Sequence, residues 1–215
     1  MNIDGQAWRT IWLEADQRSV GVIDQTLLPH RLITRTLTRC DQAADAISTM
    51  VVRGAPLIGV TGAYGLMLAL QDDASDAGLR QAFDQLNASR PTAVNLRWAL
   101  ERVRDLVQPL PQGERAAAAR REAALIADED VAMCEAIGAH GFDLFRTLAE
   151  QRPSARQNDP FQVLTHCNAG WLATVDWGTA LAPIYKAHRA GLNIHVWVDE
   201  TRPRNQGASL SLIHI

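Results

Sequence analysis

FQVLTHCNAG, residues 161–170, has the pattern of a buried β-strand that ends in a turn of small residues. Residues 178–190 then show an amphipathic helical pattern that stops at Gly191, and NIHVWV at 193–198 predicts a second strand. A strand, a helix and a strand in this order form a βαβ unit, whose two strands run parallel. A parallel sheet buried on both faces needs several strands. We therefore expect the start of a parallel α/β domain that two strands leave incomplete.

A polar, turn-forming stretch, QRPSARQNDP at 151–160, separates this unit from a long helical region. Short extended patches at 8–13 and 20–24 predict two strands near the amino terminus. The predicted fold class is α/β: a mainly helical domain with a small antiparallel sheet over residues 1–150, then the incomplete α/β domain over residues 151–208. The predicted helices cover residues 40–52, 56–70, 76–87, 93–107 and 114–150.

The composition is that of a globular chain with no excess of basic charge. Of its 215 residues 47% are hydrophobic, and 21 basic against 24 acidic residues give a net charge of −3. A domain whose main task is to bind nucleic-acid phosphates carries a basic face and a high pI. We therefore expect no nucleic-acid partner.

The sequence predicts neither a signal peptide nor a membrane span. The amino terminus lacks the basic start and apolar run of a secretory signal. The longest uncharged run, residues 54–70, has 17 residues and contains a proline and several glycines, whereas a bilayer span needs roughly 20 apolar residues. We expect a buried helix here, whose glycines at 59, 62 and 65 favour close packing of another helix over ligand contact.

The three cysteines are Cys40, Cys134 and Cys167, which are too few and too scattered for a disulfide framework. They also lack the spacing of metal ligands. We expect no metal and a reducing, cytoplasmic location. Cys40 and Cys134 fall in helical patterns, where we expect packing or surface roles.

Cys167 differs because the topology brings it to an edge where ligands collect. In an open parallel sheet, ligands bind beyond the carboxyl ends of the strands, and residues 167–170 and 199–202 follow the two predicted strands. A helix that begins close to Cys167 would activate its thiol. His166 is a weaker candidate, because adjacent strand residues face opposite sides of a sheet. The alternative, that Cys167 is a small buried residue closing the strand, stays open.

Three other places in the sequence suit an anion. Pro56 fits the first turn of a helix, and before it Gly54 allows close approach of backbone amides while Arg53 offers a charged fork. Arg90 precedes another helix start, and residues 200–207 place arginines and amides after the second strand. Each has an ordinary explanation as a capped helix or a solvated loop, but the three together favour a phosphorylated small molecule. With no GxGxxG or P-loop motif, we expect no nucleotide cofactor.

Five segments, taken together and in order, resemble one known family, the methylthioribose-1-phosphate isomerases. This family belongs to a superfamily that includes the regulatory subunits of translation initiation factor 2B. The resemblance covers residues 6–208, and RPTAVNL, THCNAG and ETRPRNQG make it specific. The segments are VIDQTLLPH (22–30), RGAPLIGVTGAYG (53–65), RPTAVNLRWAL (90–100), LTHCNAG (164–170) and HVWVDETRPRNQGA (195–208).

The resemblance implies a helical amino-terminal domain followed by a Rossmann-like domain, in a homodimer when complete. It implies conversion of 5-methylthioribose 1-phosphate to 5-methylthioribulose 1-phosphate, in methionine salvage, without a metal or another cofactor. It also implies that Cys167 is the catalytic cysteine. The residues that match the family's substrate contacts are Arg53, Gly54, Ala55, Arg90 and Gln206.

The sequence departs from the family pattern at its end. The family's catalytic aspartate and an Asn-Lys pair lie beyond the NQG motif, and the tail at residues 209–215, SLSLIHI, is expected to be foreign. We therefore expect an inactive fragment. Two alternatives stay open: a non-catalytic regulatory subunit like those of initiation factor 2B, and a ribose-1,5-bisphosphate isomerase. Cys167 and the arginines argue against the first, and RPTAVNLRWAL and ETRPRNQG favour the methylthio substrate over the second.

Overall fold

The computed structural model describes residues 1–3, 5–153 and 159–199 of the chain. Gln206 and the tail at 209–215, which the sequence analysis singled out, lie outside the described residues. The strands are β1 (Asn2–Ile3), β2 (Gln6–Ala7), β3 (Ile11–Leu13), β4 (Val20–Ile23), β5 (Thr34–Leu37), β6 (Phe161–Thr165) and β7 (Ile194–Val198). The helices are α1 (Cys40–Ser48), α2 (Ala55–Asp72), α3 (Asp76–Ser89), α4 (Val94–Val107), α5 (Gln112–Glu150) and α6 (Ala182–Arg189).

The predicted α/β class is confirmed, with a helical region, a small antiparallel sheet and a parallel strand pair. The strand β4 lies between β3 and β5 and pairs with both in antiparallel fashion, so that Val20 faces Leu37. The sequence analysis predicted β3 and β4 but neither β5 nor the short β1–β2 pair. In β5 only Leu37 is buried, so the alternating pattern of a half-buried strand is weak there.

Helix α2 is buried along most of its length and forms the centre of the main core. Its neighbours approach closely because the helix carries glycines on the packed sides. A Cβ on Gly59 would lie 2.9 Å from the carbonyl oxygen of Asn95 in α4, and one on Gly62 would lie 2.4 Å from Leu96. The prediction that this glycine strip serves close helix packing is therefore confirmed.

The carboxyl-terminal strands β6 and β7 pair in parallel, with Phe161 opposite Ile194 and Thr165 opposite Val198. Helix α6 covers one face of this pair through Ile184, and on the other face Leu164 is 68% exposed. This confirms the predicted βαβ unit.

The helix within this unit is shorter than predicted: it begins at Ala182, not at residue 178. Trp177 and Gly178 have φ angles of 66° and 79°. This left-handed conformation is incompatible with a right-handed helix, so α6 cannot begin at these residues. The residues between β6 and α6 instead form a long connection with a single 3₁₀ turn at Trp171–Ala173.

Helix α5 contacts both parts of the molecule. Its first half packs against the main core, and its second half packs against α6, where a Cβ on Gly141 would lie 2.3 Å from Pro183. Within the described residues, no helix is both long and apolar enough to cross a bilayer.

Candidate active site

The amino end of α2 has the form of an anion site. Gly54 caps this helix with φ 99° and ψ 135°, a conformation that favours glycine, and Pro56 lies in the first turn. No side chain within the described residues caps the first turn. The first amides of α2 can therefore donate to a ligand, and the helix dipole favours a negative one.

Arg53 lies directly before this helix end and is held in place by Gln25. The Arg53 side chain is buried, with 8% exposure. Its Nη2 donates to the carbonyl oxygen of Gln25 at 3.1 Å, and its Nε donates to Oε1 of the same residue at 3.4 Å. The guanidinium is therefore buried and bonded to both the side chain and the backbone of Gln25.

Cys167 lies beyond the carboxyl end of β6, as the sequence predicts, and its side chain is exposed. The alternative that it is a small buried residue is therefore wrong. Its φ of 74° starts a tight turn in which the amide of Ala169 donates to the Cys167 carbonyl oxygen at 3.1 Å. Strand β6 ends at Thr165, so Cys167 lies in this turn and not in the strand.

His166 lies against Asp199 at the edge where the two parallel strands end. Its Nδ1 lies 3.3 Å from Oδ2 of Asp199, which follows β7. The argument that neighbouring strand residues face opposite sides does not apply, because β6 ends before His166. The carboxyl ends of both strands thus present polar side chains at one edge.

The connection that follows Cys167 packs against residues 25 and 54 in the amino-terminal part of the chain. A Cβ on Gly54 would lie 2.3 Å from the Cα and the carbonyl oxygen of Ala173, so the two backbones are in direct contact. The side-chain Nε2 of Gln25 donates to the carbonyl oxygen of Leu172 at 2.7 Å. The predicted pieces around residues 53–55 and Cys167 are therefore tied to each other through the 3₁₀ turn.

Two further buried residues fix the next part of this connection. The Thr10 hydroxyl donates to the Thr174 carbonyl oxygen at 2.5 Å, and the Thr10 amide donates to the Val175 carbonyl oxygen at 3.0 Å. Oδ2 of Asp130 in α5 accepts a hydrogen bond from the Val175 amide at 2.7 Å. Burial raises the pKa of Asp130 above its ordinary value, although this hydrogen bond opposes the rise.

Arg90 is partly buried and directly follows α3. Its carbonyl oxygen accepts from the amide of Ala93 in the turn that leads into α4. The contact of Gly59 with Asn95 brings the start of α4 against the second turn of α2. Arg90 is therefore at the same end of the helical layer as residues 53–55.

The other two cysteines belong to the packing of helices, as predicted. Cys134 is fully buried in α5 and Cys40 is partly buried at the start of α1. Burial raises the pKa of Cys40 to about 11 and that of Cys134 to about 12. Neither thiol is suited to act as a base near neutral pH.

Sequence reasoning did not identify Gln25, Thr10 or Asp130 as parts of this arrangement. Gln25 carried a signal, since it lies in the VIDQTLLPH segment on which the resemblance depends. Thr10 and Asp130 carried none, because their partners are backbone groups far away in the sequence. Within the part of the chain that the structure describes, no cluster of three His, Cys, Asp or Glu side chains could hold a metal ion.

Fold and site together define a class of α/β protein in which a helix amino terminus and a buried arginine are joined to an exposed cysteine at the end of a parallel strand. The sequence model of the initiation factor 2 subunit family matches residues 51–214, and the chain belongs to this family.

The relatives identify two kinds of protein within this family. The chain is 58% identical over 211 residues to the methylthioribose-1-phosphate isomerase of Rhodospirillum centenum, a match that covers 98% of this chain and 55% of the relative. The 5-methylthioribose 1-phosphate isomerase of Pyrococcus horikoshii OT3 superimposes with a TM-score of 0.78 at 38% identity, over 96% of this chain and 56% of that one. Subunit delta of translation initiation factor eIF-2B from A. fulgidus also superimposes with a TM-score of 0.78, at 37% identity, over 95% of this chain and 58% of that one. The chain thus spans little more than half the length of the relatives that it matches.

Proposed function

We propose that this chain serves the isomerisation of 5-methylthioribose 1-phosphate to 5-methylthioribulose 1-phosphate, the reaction of methionine salvage. Cys167 is the base, and the amino end of α2 with Arg53, Gly54 and Ala55 binds the phosphate. The observation that carries the proposal is the contact of Gly54 with Ala173, which joins the phosphate site to the cysteine connection.

The reaction requires a base and a firm hold on the phosphate. An aldose–ketose exchange moves hydrogen from C2 to C1, and here C1 carries the phosphate ester, so that the ring does not open as a free sugar does. The Cys167 thiolate takes the proton from C2, and the amides of α2 hold the phosphate in place. Arg90 and Gln206 are further substrate contacts in this proposal.

The resemblance adds a carboxylic acid that assists ring opening, an aspartate beyond the NQG motif. The described residues supply the base and the phosphate site in this proposal. Turnover is therefore proposed for a protein that also has this acid. Such a protein is a cytoplasmic homodimer with no metal and no other cofactor.

A non-catalytic role is the second candidate, because the eIF-2B subunit delta of A. fulgidus superimposes as well as the isomerase of P. horikoshii does. The exposed Cys167 and the uncapped helix end favour the enzyme, since a scaffold uses neither. A ribose-1,5-bisphosphate isomerase would use the same two features and is separated from the first proposal by its substrate.

The experiment has a binding step and a turnover step. Calorimetry with the 215-residue chain should show that it binds 5-methylthioribose 1-phosphate and that it binds ribose 1,5-bisphosphate with lower affinity. For turnover, residues 1–208 are joined to the remaining part of the R. centenum relative, and the ketose product is followed by NMR. Cys167→Ser should then lower kcat by about 10²–10⁴-fold, the usual contribution of a general base, while binding persists.

Two results would contradict the proposal. Full turnover in the Cys167→Ser variant would exclude the thiol from the chemistry. A joined protein that folds but neither binds nor converts either sugar phosphate would favour the regulatory role.

A further inference from the structure

The side-chain amide of Gln25 lies between the phosphate site and the cysteine connection, and it bonds to both. Its Oε1 accepts from Nε of Arg53 at 3.4 Å, and its Nε2 donates to the carbonyl oxygen of Leu172 at 2.7 Å. We propose that Gln25 is a positioning residue that couples anion binding at Arg53 to the placement of Cys167. The inference deepens the proposed function and rests on it.

Only an amide performs both tasks at this position. A glutamine side chain offers one acceptor oxygen and two donor hydrogens on the same plane. Gln25 is 1% exposed, so water does not replace a lost bond. A glutamate would keep the acceptor for Arg53 but would turn an oxygen toward the Leu172 carbonyl, and a methionine would lose both bonds.

The backbone of Gln25 makes it a firm support for this bridge. Its amide donates to the carbonyl oxygen of Val51 at 2.9 Å, and its own carbonyl oxygen accepts from Nη2 of Arg53 at 3.1 Å. The neighbouring Asp24 is fully buried and paired with Arg35. The backbone of Gln25 is therefore fixed, and its side-chain amide is the part that follows a movement of the arginine.

The connection around Leu172 is held on both sides, since the Ala169 carbonyl oxygen accepts from the amides of Thr179 and Leu181 at 3.0 and 3.4 Å. Thr174 and Val175 are held by Thr10 and Asp130 through buried hydrogen bonds. Leu172 lies in the 3₁₀ turn, which is joined to the cysteine turn by two backbone hydrogen bonds. The Ala173 amide donates to the Gly170 carbonyl oxygen at 3.0 Å, and the Ala169 amide donates to the Cys167 carbonyl oxygen at 3.1 Å. When a phosphate reorients Arg53, Gln25 therefore moves Leu172, and the cysteine turn takes up the change.

The first part of the test uses the unliganded 215-residue chain and the rate at which iodoacetamide alkylates Cys167, measured by peptide mass spectrometry. Gln25→Met and Gln25→Glu should each change this rate by about 3- to 10-fold, the range that one lost hydrogen bond represents. Gln71→Met is the matched control. Nε2 of Gln71 also donates to a backbone carbonyl, that of Arg18 at 3.0 Å, but far from the cysteine, and this variant should keep the wild-type rate.

A double-mutant cycle shows whether Arg53 affects Cys167 through Gln25. Arg53→Lys removes the bond to Oε1 of Gln25 and also the bond to the backbone carbonyl oxygen of residue 25, and only the first of these is already absent in Gln25→Met. Its effect on the alkylation rate should therefore be clearly smaller in Gln25→Met than in the wild-type background. Thermal melts identify any variant that fails to fold, and Gln25→Glu and Arg53→Lys still report on the link if Gln25→Met unfolds.

The second part adds inorganic phosphate or 5-methylthioribose 1-phosphate. Either ligand should change the Cys167 alkylation rate in the wild-type chain. Gln25→Met, in which Nη2 of Arg53 keeps its bond to the backbone carbonyl oxygen of residue 25, should bind the ligand with similar affinity but lose that response. A merely structural glutamine would lose binding and response together, and that result would overturn the proposal. Wild-type alkylation rates in both Gln25 variants would also overturn it.

Failure of the proposed function is a separate outcome. If the wild-type chain binds neither phosphate nor sugar phosphate, the phosphate site is contradicted. The unliganded double-mutant cycle then tests the coupling by itself: non-additive effects of Arg53→Lys and Gln25→Met on the alkylation rate support it, and additive effects contradict it.

Discussion

Gly54 and Ala173 lie in direct backbone contact, although they are far apart in the sequence: a Cβ on Gly54 would lie 2.3 Å from both the Cα and the carbonyl oxygen of Ala173. The first residue caps the helix whose amides we assign to phosphate, and the second lies in the connection that follows Cys167. In the proposed function, this contact is what brings the two features to one ligand.

Gly54→Ala should separate the two features. The new methyl group collides with the backbone of Ala173, which cannot rotate away, and φ 99° is a strained angle for alanine. We expect a loss of more than about 2 kcal/mol in the free energy of unfolding, measured by urea titration, together with loss of sugar-phosphate binding.

Gly191→Ala is the matched control for this experiment. Gly191 also has a positive φ, 81°, but a Cβ there would have no atom within 4 Å. Only the backbone cost of about 1–2 kcal/mol is expected, and binding should persist. Equal effects of the two alanines on binding would show that the contact with Ala173 has no special role.

Asp130→Ala should destabilise the chain more than Asp130→Asn. Asp130 accepts a hydrogen bond from the buried amide of Val175. Alanine leaves this donor without a partner, which should lower the free energy of unfolding by about 1–3 kcal/mol. Asparagine keeps an acceptor oxygen and carries no buried charge, so it should stay within about 1 kcal/mol of the wild type. Urea titration at pH 7 measures both. An alanine variant as stable as the asparagine variant would show that the hydrogen bond contributes nothing.

The pH dependence of Asp130 has a defined sign. Burial raises its pKa in the folded chain above the ordinary value of 3.8, so the folded state binds more protons than the unfolded state in the range just above that value. Stability contributed by this group therefore falls as the pH rises through that range. The unfolding free energy of the wild type relative to Asp130→Asn should be highest at the acidic end and should fall toward neutral pH.

The ion pair of Arg35 with Asp24 should give the free energy of unfolding a pH dependence opposite to that of Asp130. Burial of Asp24 would raise its pKa, but hydrogen bonds from Thr26 and the ion pair with Arg35 outweigh burial and hold the pKa below 3.8. The pair therefore stabilises the fold above that pH and stops doing so as the pH falls through the folded-state pKa. We expect Arg35→Met to cost about 1–3 kcal/mol at pH 7 and less at pH 3.

Arg39→Met provides the comparison for this pair, since Arg39 and Asp41 form an exposed ion pair. Its effect on the free energy of unfolding at pH 7 should be clearly smaller than that of Arg35→Met, because solvent screens an exposed pair. A pH-independent cost of Arg35→Met would mean that the side chain acts by packing and not by its charge.

The three cysteines should react at very different rates. At pH 8 a thiol with a pKa of about 11, as for Cys40, or about 12, as for Cys134, is ionised to only about one part in 10³ or 10⁴. Cys167 is exposed, so iodoacetamide should modify it first, as read by peptide mass spectrometry. In urea the three rates should converge. Early modification of Cys40 in the folded chain would contradict the burial of that thiol.

Much of the fold was predictable because it depends on local patterns. The apolar spacing of α4 and the Pro56 start of α2 predicted helices that the structure confirms. The βαβ unit was predictable from two short apolar runs around one amphipathic helix. The start of that helix was placed four residues early because the left-handed angles at Trp177 and Gly178 leave no mark on apolar spacing.

By itself the sequence determined the family and the residues that we propose for the chemistry: the thiol at residue 167 and the arginine and glycine before α2. Tertiary structure alone decided how these pieces meet. Gln25 bridges Arg53 and Leu172, Thr10 and Asp130 fix the backbone of residues 174 and 175, and Gly54 admits Ala173. The physical reason is that these contacts are made to backbone groups, which every residue carries, so that side-chain patterns along the chain do not reveal them.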